Sequence, residues 1–182
     1  MWDYPISVEI DGKEYAIRNK CDYRVVLDVI CALNDSDLTK EEQLYCAVQI
    51  FYEDLTGCHN IIQAVAEMYK IINYGEAETA NNKPKLMDWQ HDFKQVVAPV
   101  NRVLGYDVRT PGKYTHWWSF MAGYMEIGNE CTFSTILSIR GKKSKCKKLD
   151  KWEEEYYRDN RKLIDLPLQL SPEEQELLNS KW

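Results

Sequence analysis

Residues His116 to Met125 read His-Trp-Trp-Ser-Phe-Met-Ala-Gly-Tyr-Met, and the apolar character runs on to Ile127. Wound as a helix, Trp117 to Ile127 is apolar almost all the way round, with Ser119, Gly123 and Glu126 as the main exceptions. A helix of that kind must sit inside a core or beneath a partner. Tryptophan side chains bury 150–250 Å² each on the usual scale, so this stretch demands a large apolar surround. Neighbours on a helix diverge by about 100°, so Trp117 and Trp118 cannot face the same way. One can serve the core while the other faces a subunit or client.

The rest of the chain is organised around helical spacing, after one short exception. Ile6, Val8 and Ile10 alternate with polar residues, and Asp11-Gly12 separates them from Lys13 to Ile17. Asp-Gly between alternating runs is a strong hairpin signal, because both turn residues must accept positive φ. A lone hairpin is marginal in water, so it needs a helical support. From Tyr23 the period becomes helical: Tyr23, Val26, Leu27, Ile30 and Leu33 recur at three and four. Thr39 with Glu42 is a capping-box pattern that opens a helix carrying Leu44, Ala47, Val48 and Phe51. Ile61, Ile62, Val65, Met68, Tyr69 and Ile72 form a third stripe.

Gly75 to Lys85 is polar and lacks large apolar residues, which predicts a mobile linker over about 75–85. Met87 to Leu104 is helix-like, and Pro99 is expected to kink or end it. Phe133, Ile136, Leu137 and Ile139 fit helix or strand, with helix favoured by context. Asp150 with Glu153 starts a helix expected to run through Leu163, and Ser171-Pro172 opens a short terminal one. The expectation is mainly α: a multi-helix globular domain of about seven helices with a short N-terminal β-hairpin (about 6–17). It comprises one domain over 1–166 and a C-terminal extension over 167–182.

Charge is unevenly placed. Residues 140–151 hold seven basic residues and one acid, within a chain of formal net charge −6. Such a tract is a solvated segment, a phosphate contact or a dock for an acidic protein surface. The chain's acidic balance and the distance of the tract from the aromatic run argue against nucleic acid. The six cysteines show no C-x-x-C spacing, and a core of this size needs no staples, so reduced cytosolic thiols are expected.

Chemistry finds little footing. The three histidines, His59, His91 and His116, share no helix face, and no residues are assigned to a metal or a cofactor. No P-loop, G-x-G-x-x-G, G-x-S-x-G or H-E-x-x-H pattern occurs, and no catalytic residue is proposed. The pairs Asp88/Asp92 and Glu126/Glu130 are spaced i, i+4 and read as solvated acidic faces. No apolar run reaches the roughly 18 residues that span a bilayer. The residues left for a protein-binding role are Trp117, Trp118, Tyr124, Arg140, Lys142, Lys143, Lys145, Lys147, Lys148 and Trp152.

Five blocks carry a resemblance. They are Met87-Asp88-Trp89 with Asp92-Phe93, Pro99-Val100-Asn101-Arg102-Val103-Leu104-Gly105, His116-Trp117-Trp118, Tyr124-Met125-Glu126-Ile127-Gly128, and Lys147-Lys148-Leu149-Asp150-Lys151-Trp152. Together they resemble a small protein family of siphophages and prophages of Gram-positive bacteria, commonly encoded in the tail module near the tape measure gene. The resemblance implies a tail assembly chaperone-like role: binding the tape measure protein, and possible contact with other tail proteins, in the bacterial host cytoplasm, as a homo-oligomer along that client. It implies no catalytic residue. A permanent tail component and a nucleic-acid contact through 140–151 stand as alternatives.

Overall fold

A computed structural model of the chain describes residues 3–75 and 84–167. Most of the expected linker and the helix expected after Ser171 lie outside the described residues. The protein is mainly α with one two-stranded antiparallel hairpin, as the periodicities require. The described residues fall into two compact units, 3–75 with 112–121 and 84–111 with 122–167.

In unit one, strand β1 (Ser7–Ile10) pairs with β2 (Lys13–Ala16) in the register Val8↔Tyr15. Asp11 and Gly12 take φ of 49° and 77°, the doubly positive turn that the Asp-Gly pair anticipates. Alternation places Val8, Ile10, Tyr15 and Ile17 inside. Helices α1 (Tyr23–Leu33), α2 (Lys40–Phe51) and α3 (Ile61–Ile72) supply the helical support. The Thr39–Glu42 capping box forms at the start of α2. At its end Arg18 donates to the carbonyls of Gln49, Ile50 and Tyr52. A cation there satisfies orphan carbonyls and suits the negative end of the helix dipole.

Asn19, Lys20 and Cys21 follow one another in left-handed φ (49°, 54° and 62°), a costly run for non-glycine residues. It delivers Asp22 to two tasks. Its carboxylate caps α1 through the Arg24 N–H and accepts the Thr115 N–H at 3.1 Å. Tyr23 N–H to Thr115 O and Trp117 N–H to Cys21 O complete the tie, which sets where helix α5 (Trp117–Met125) begins.

In unit two, α4 (Trp89–Leu104) is capped by Asp88 and stopped by Gly105 at φ 77°. Of the two effects expected of Pro99, a kink or an end, the helix does not end there and runs on to Leu104. Val96, Val97 and Val100 lie on both sides of the proline and are all buried, so core packing supports the helix on either side of the missing bond. The loss of one N–H is confined to the bond Gln95 would otherwise accept. Gly123 of α5 meets Leu104: a Cβ there would lie 3.0 Å from the Leu104 Cγ, which only glycine avoids. Helix α6 (Thr132–Ser144) settles the Phe133–Ile139 ambiguity as helix. The single helix expected from Asp150 to Leu163 is instead α7 (Lys151–Asp159) and α8 (Arg161–Ile164), broken at Asn160. The Asn160 side chain donates to the Tyr156 carbonyl, and the break turns Ile164 onto Ile136 and Ile139. No helix among the described residues is long and apolar enough to cross a membrane.

Candidate binding surface

The ten candidate residues divide sharply by burial. Trp117 is 1% exposed and stacks on Phe120 in unit one. Its indole N–H donates to the Ile72 carbonyl at 3.0 Å, and that of half-buried Trp118 donates to the Ile71 carbonyl at 3.0 Å. The two rings thus diverge as helical geometry requires, yet both cap the last turn of α3. Trp117 is a core residue, and no face of it is left for a client. Trp118 also packs its ring against Tyr74.

Tyr124 is half-buried between Trp89 and Phe133, and its hydroxyl donates to the Met87 sulfur at 3.1 Å. Burial raises its phenol above the ordinary value.

Arg140 belongs to the interior rather than to a basic surface. It is 6% exposed, and Asp92 is fully buried. The guanidinium grips the Asp92 carboxylate through two bonds of 2.6 and 2.9 Å. It also donates to the carbonyls of Leu86, Leu163 and Ile164. Asp92 therefore departs from the solvated acidic face expected of it, and Asp88 is the α4 cap. Both signals were present in the spacing. Arg140 continues the apolar stripe of Phe133, Ile136 and Leu137, and Asp92 lies among Trp89, Phe93 and Val96. A charge on an apolar stripe needs a partner. Glu126 and Glu130 are exposed, as a solvated face should be.

The remaining lysines grade outward. Lys142 pairs with Glu153. Lys143 bonds Asp165 at 2.6 Å and lies 3.6 Å from the Tyr157 ring centroid. Asp165 raises the Lys143 ammonium above its ordinary value against a desolvation effect of opposite sign. Lys145, Lys147 and Lys148 are exposed and make no ion pair with any described residue. They end α6 and lead into α7, whose Asp150–Glu153 capping box starts the next helix. On its first turn Trp152 is 58% exposed and stacks on Tyr156, ring centroids 5.3 Å apart. Lys151 is exposed beside it. Tyr156 and Lys151 escaped the sequence reading, although i, i+4 spacing from Trp152 points to Tyr156.

Of the ten residues, the fold therefore leaves Lys145, Lys147, Lys148 and Trp152 as a basic, aromatic corner of unit two. Among the described residues no three His, Cys, Asp or Glu side chains gather into a metal-binding group. All six cysteines are free thiols.

Fold and surface together define a class: a mainly helical protein with one N-terminal hairpin and an exposed basic, aromatic corner. Comparison of sequences then places it. The family described as Bacteriophage Gp15 protein matches residues 1–166, and the chain belongs to that family. No curated protein and no solved structure matches the chain.

Proposed function

We propose that this phage-family protein is a non-catalytic, tail assembly chaperone-like protein. In this reading it binds the tape measure protein in the host cytoplasm during tail morphogenesis and leaves before the virion is complete. The observation that carries it is exposed Trp152, stacked on half-buried Tyr156 and close in sequence to exposed Lys145, Lys147, Lys148 and Lys151. An aromatic anchor supplies contact energy, and a surrounding charge of one sign supplies specificity and association rate. Membership of a bacteriophage family and the tail-module resemblance of the five sequence blocks supply the biological setting.

Co-expression with the tape measure protein, followed by affinity capture, tests this. The wild type should retain the client. Trp152→Ala and the double change Lys147→Glu with Lys148→Glu should weaken retention at unchanged thermal stability. No retention by the wild type, together with normal tails after deletion of the gene, refutes the proposal. Mass spectrometry of purified virions separates a chaperone, which is absent from them, from a permanent tail component. A gel-shift titration with salt addresses the nucleic-acid alternative, since a backbone-driven contact must show itself at low salt first.

A further inference from the structure

A cleft of about 490 Å³ opens between one face of α4 and the start of α6 in unit two. That size falls within the range of small-ligand sites. Ala98 and Pro99 line its middle, so no large side chain fills it. Lys94 and Arg102 stand on the α4 side, and both are exposed. Lys94 makes no ion pair with any described residue, and Arg102 spends one donor, on the Ile127 carbonyl at 3.0 Å. The α6 side is Glu130, Cys131 and Thr132. That helix has no acid in its first turn, and its cap is the Cys131 sulfur, a weak acceptor that takes the Ser134 N–H at 3.4 Å. The N–H groups of Thr132 and Phe133 have no acceptor among the described residues. Gln95 supplies an independent observation, because it lines the same cleft. Its Oε1 is, among the described residues, the one side-chain polar atom buried without a hydrogen-bond partner. Buried acceptors are nearly always paired, so this one calls for a donor that the chain does not supply.

We propose that this cleft binds a phosphate group that carries a proton, as inorganic phosphate or as the end of a small phosphomonoester. Two cations and a helix N-terminus, set against Glu130, leave a charge of about +1.5, which suits a singly charged anion. The Thr132 and Phe133 N–H groups and the Arg102 fork donate to its unprotonated oxygens. Its P–O–H donates to Gln95 Oε1, for which sulfate or a carboxylate has no proton. Gln95 as a whole is half-buried, so a turn of its amide about a soft terminal torsion brings Oε1 to the ligand. A fully deprotonated oxyanion instead meets Gln95 and Glu130 as repelling acceptors. The cleft has room beyond the phosphate for an ester's organic part. It lies at the other end of α6 from the basic corner, about 20 Å along the 13 residues of that helix, and it is independent of the client-binding reading.

Titration of the isotope-labelled full chain at pH about 6 tests this, with the Thr132 and Phe133 amide resonances as the readout. A phosphomonoester is about half protonated there, whereas sulfate carries no proton. Sodium phosphate and phenyl phosphate, at matched ionic strength, should shift both signals to saturation with a Kd of about 10 mM or tighter. Sulfate should bind at least about fivefold more weakly. Lys94→Gln, at an exposed position, should weaken phosphate by about threefold to tenfold at unchanged melting temperature. Gln95→Met removes the orphan acceptor and should bring phosphate and sulfate to equal affinity without loss of stability. Saturation by inorganic phosphate alone supports the free ion as the ligand, and tighter saturation by phenyl phosphate supports an ester. Equal binding of phosphate and sulfate by the wild type overturns the proposal. So does a phosphate shift that never saturates, or one that Lys94→Gln leaves unchanged. A Gln95→Met variant that keeps the wild-type preference also overturns it.

Discussion

Replacing Arg140 with alanine strikes a charge pair held in the interior of unit two. Asp92 is 0% exposed, and without Arg140 its carboxylate would keep, among the described residues, only the Asp88 N–H at 3.0 Å. The Leu86 and Ile164 carbonyls would lose their Arg140 donor at the same time, while that of Leu163 keeps His91 Nε2 at 3.2 Å. Breaking a buried pair from one side costs about 3–5 kcal/mol, because the surviving charge is uncompensated. Typical domain stabilities are about 5–15 kcal/mol, so the loss is a large fraction of the whole. With a urea slope of about 2 kcal/mol per M, the midpoint should fall by about 1.5–2.5 M. Urea titration by circular dichroism reads this, with hydrogen exchange of the α4 and α6 amides to localise it. The double change Asp92→Leu with Arg140→Met removes both charges and keeps apolar volume. It should cost less than Arg140→Ala alone, since no buried charge is left and only neutral backbone groups, the Leu86 and Ile164 carbonyls and the Asp88 N–H, lose a partner. A midpoint shift below about 0.3 M for Arg140→Ala would refute the reasoning. So would a double variant less stable than the single one.

Three further outcomes are expected. Trp117→Ala should cost about 3–5 kcal/mol by urea titration, as for a fully buried aromatic. Trp152→Ala should stay within about 1 kcal/mol, and equal costs would contradict the core and surface assignments. His116 accepts the Trp118 N–H at Nδ1, so its Nε2 carries the proton and donates to the Pro5 carbonyl. Burial holds the imidazole below its ordinary 6.5, partly opposed by the Pro5 bond and the Asp22 charge. The unfolded chain therefore binds more protons in that window. The contribution is fully present above about 6.5 and is lost as pH falls through 6.5 towards the folded value. The urea midpoint should drop between pH 7.5 and 5.5, and His116→Gln should flatten that part of the profile. Among the thiols, burial pushes Cys21 up to about 12, while Cys146 is exposed. Native alkylation read by mass spectrometry should label Cys146 early and Cys21 only on unfolding.

The hairpin, its turn, the caps at Thr39 and Asp150 and the stripes of α1 to α4 were legible because each is set by neighbours within a turn or two. Pro99 does not end α4 because its local cost is real but smaller than the packing of Val96, Val97 and Val100 around it. The break at Asn160 was missed for a related reason: a distant pair, Ile136 and Ile139, draws Ile164 off the axis of α7. The left-handed run Asn19–Cys21 has no glycine to announce it. It exists because Asp22 must reach both α1 and Thr115.

The exposure of the candidate residues was half legible. Sequence spacing found Trp152 and the exposed lysines, but it grouped Trp117, Arg140 and Lys142 with them. Composition and periodicity determine that this chain is helical, that it opens with a hairpin, and that large aromatic and basic segments must be placed somewhere. They act locally, through φ, side-chain direction and i, i+4 proximity. Which aromatic is core and which cation is interior was decided only by tertiary structure. Burial depends on what a residue meets 45 or 48 positions away, as Trp117 meets Ile72 and Arg140 meets Asp92. The cost of an unpaired charge in a dry interior then forces such distant partners together.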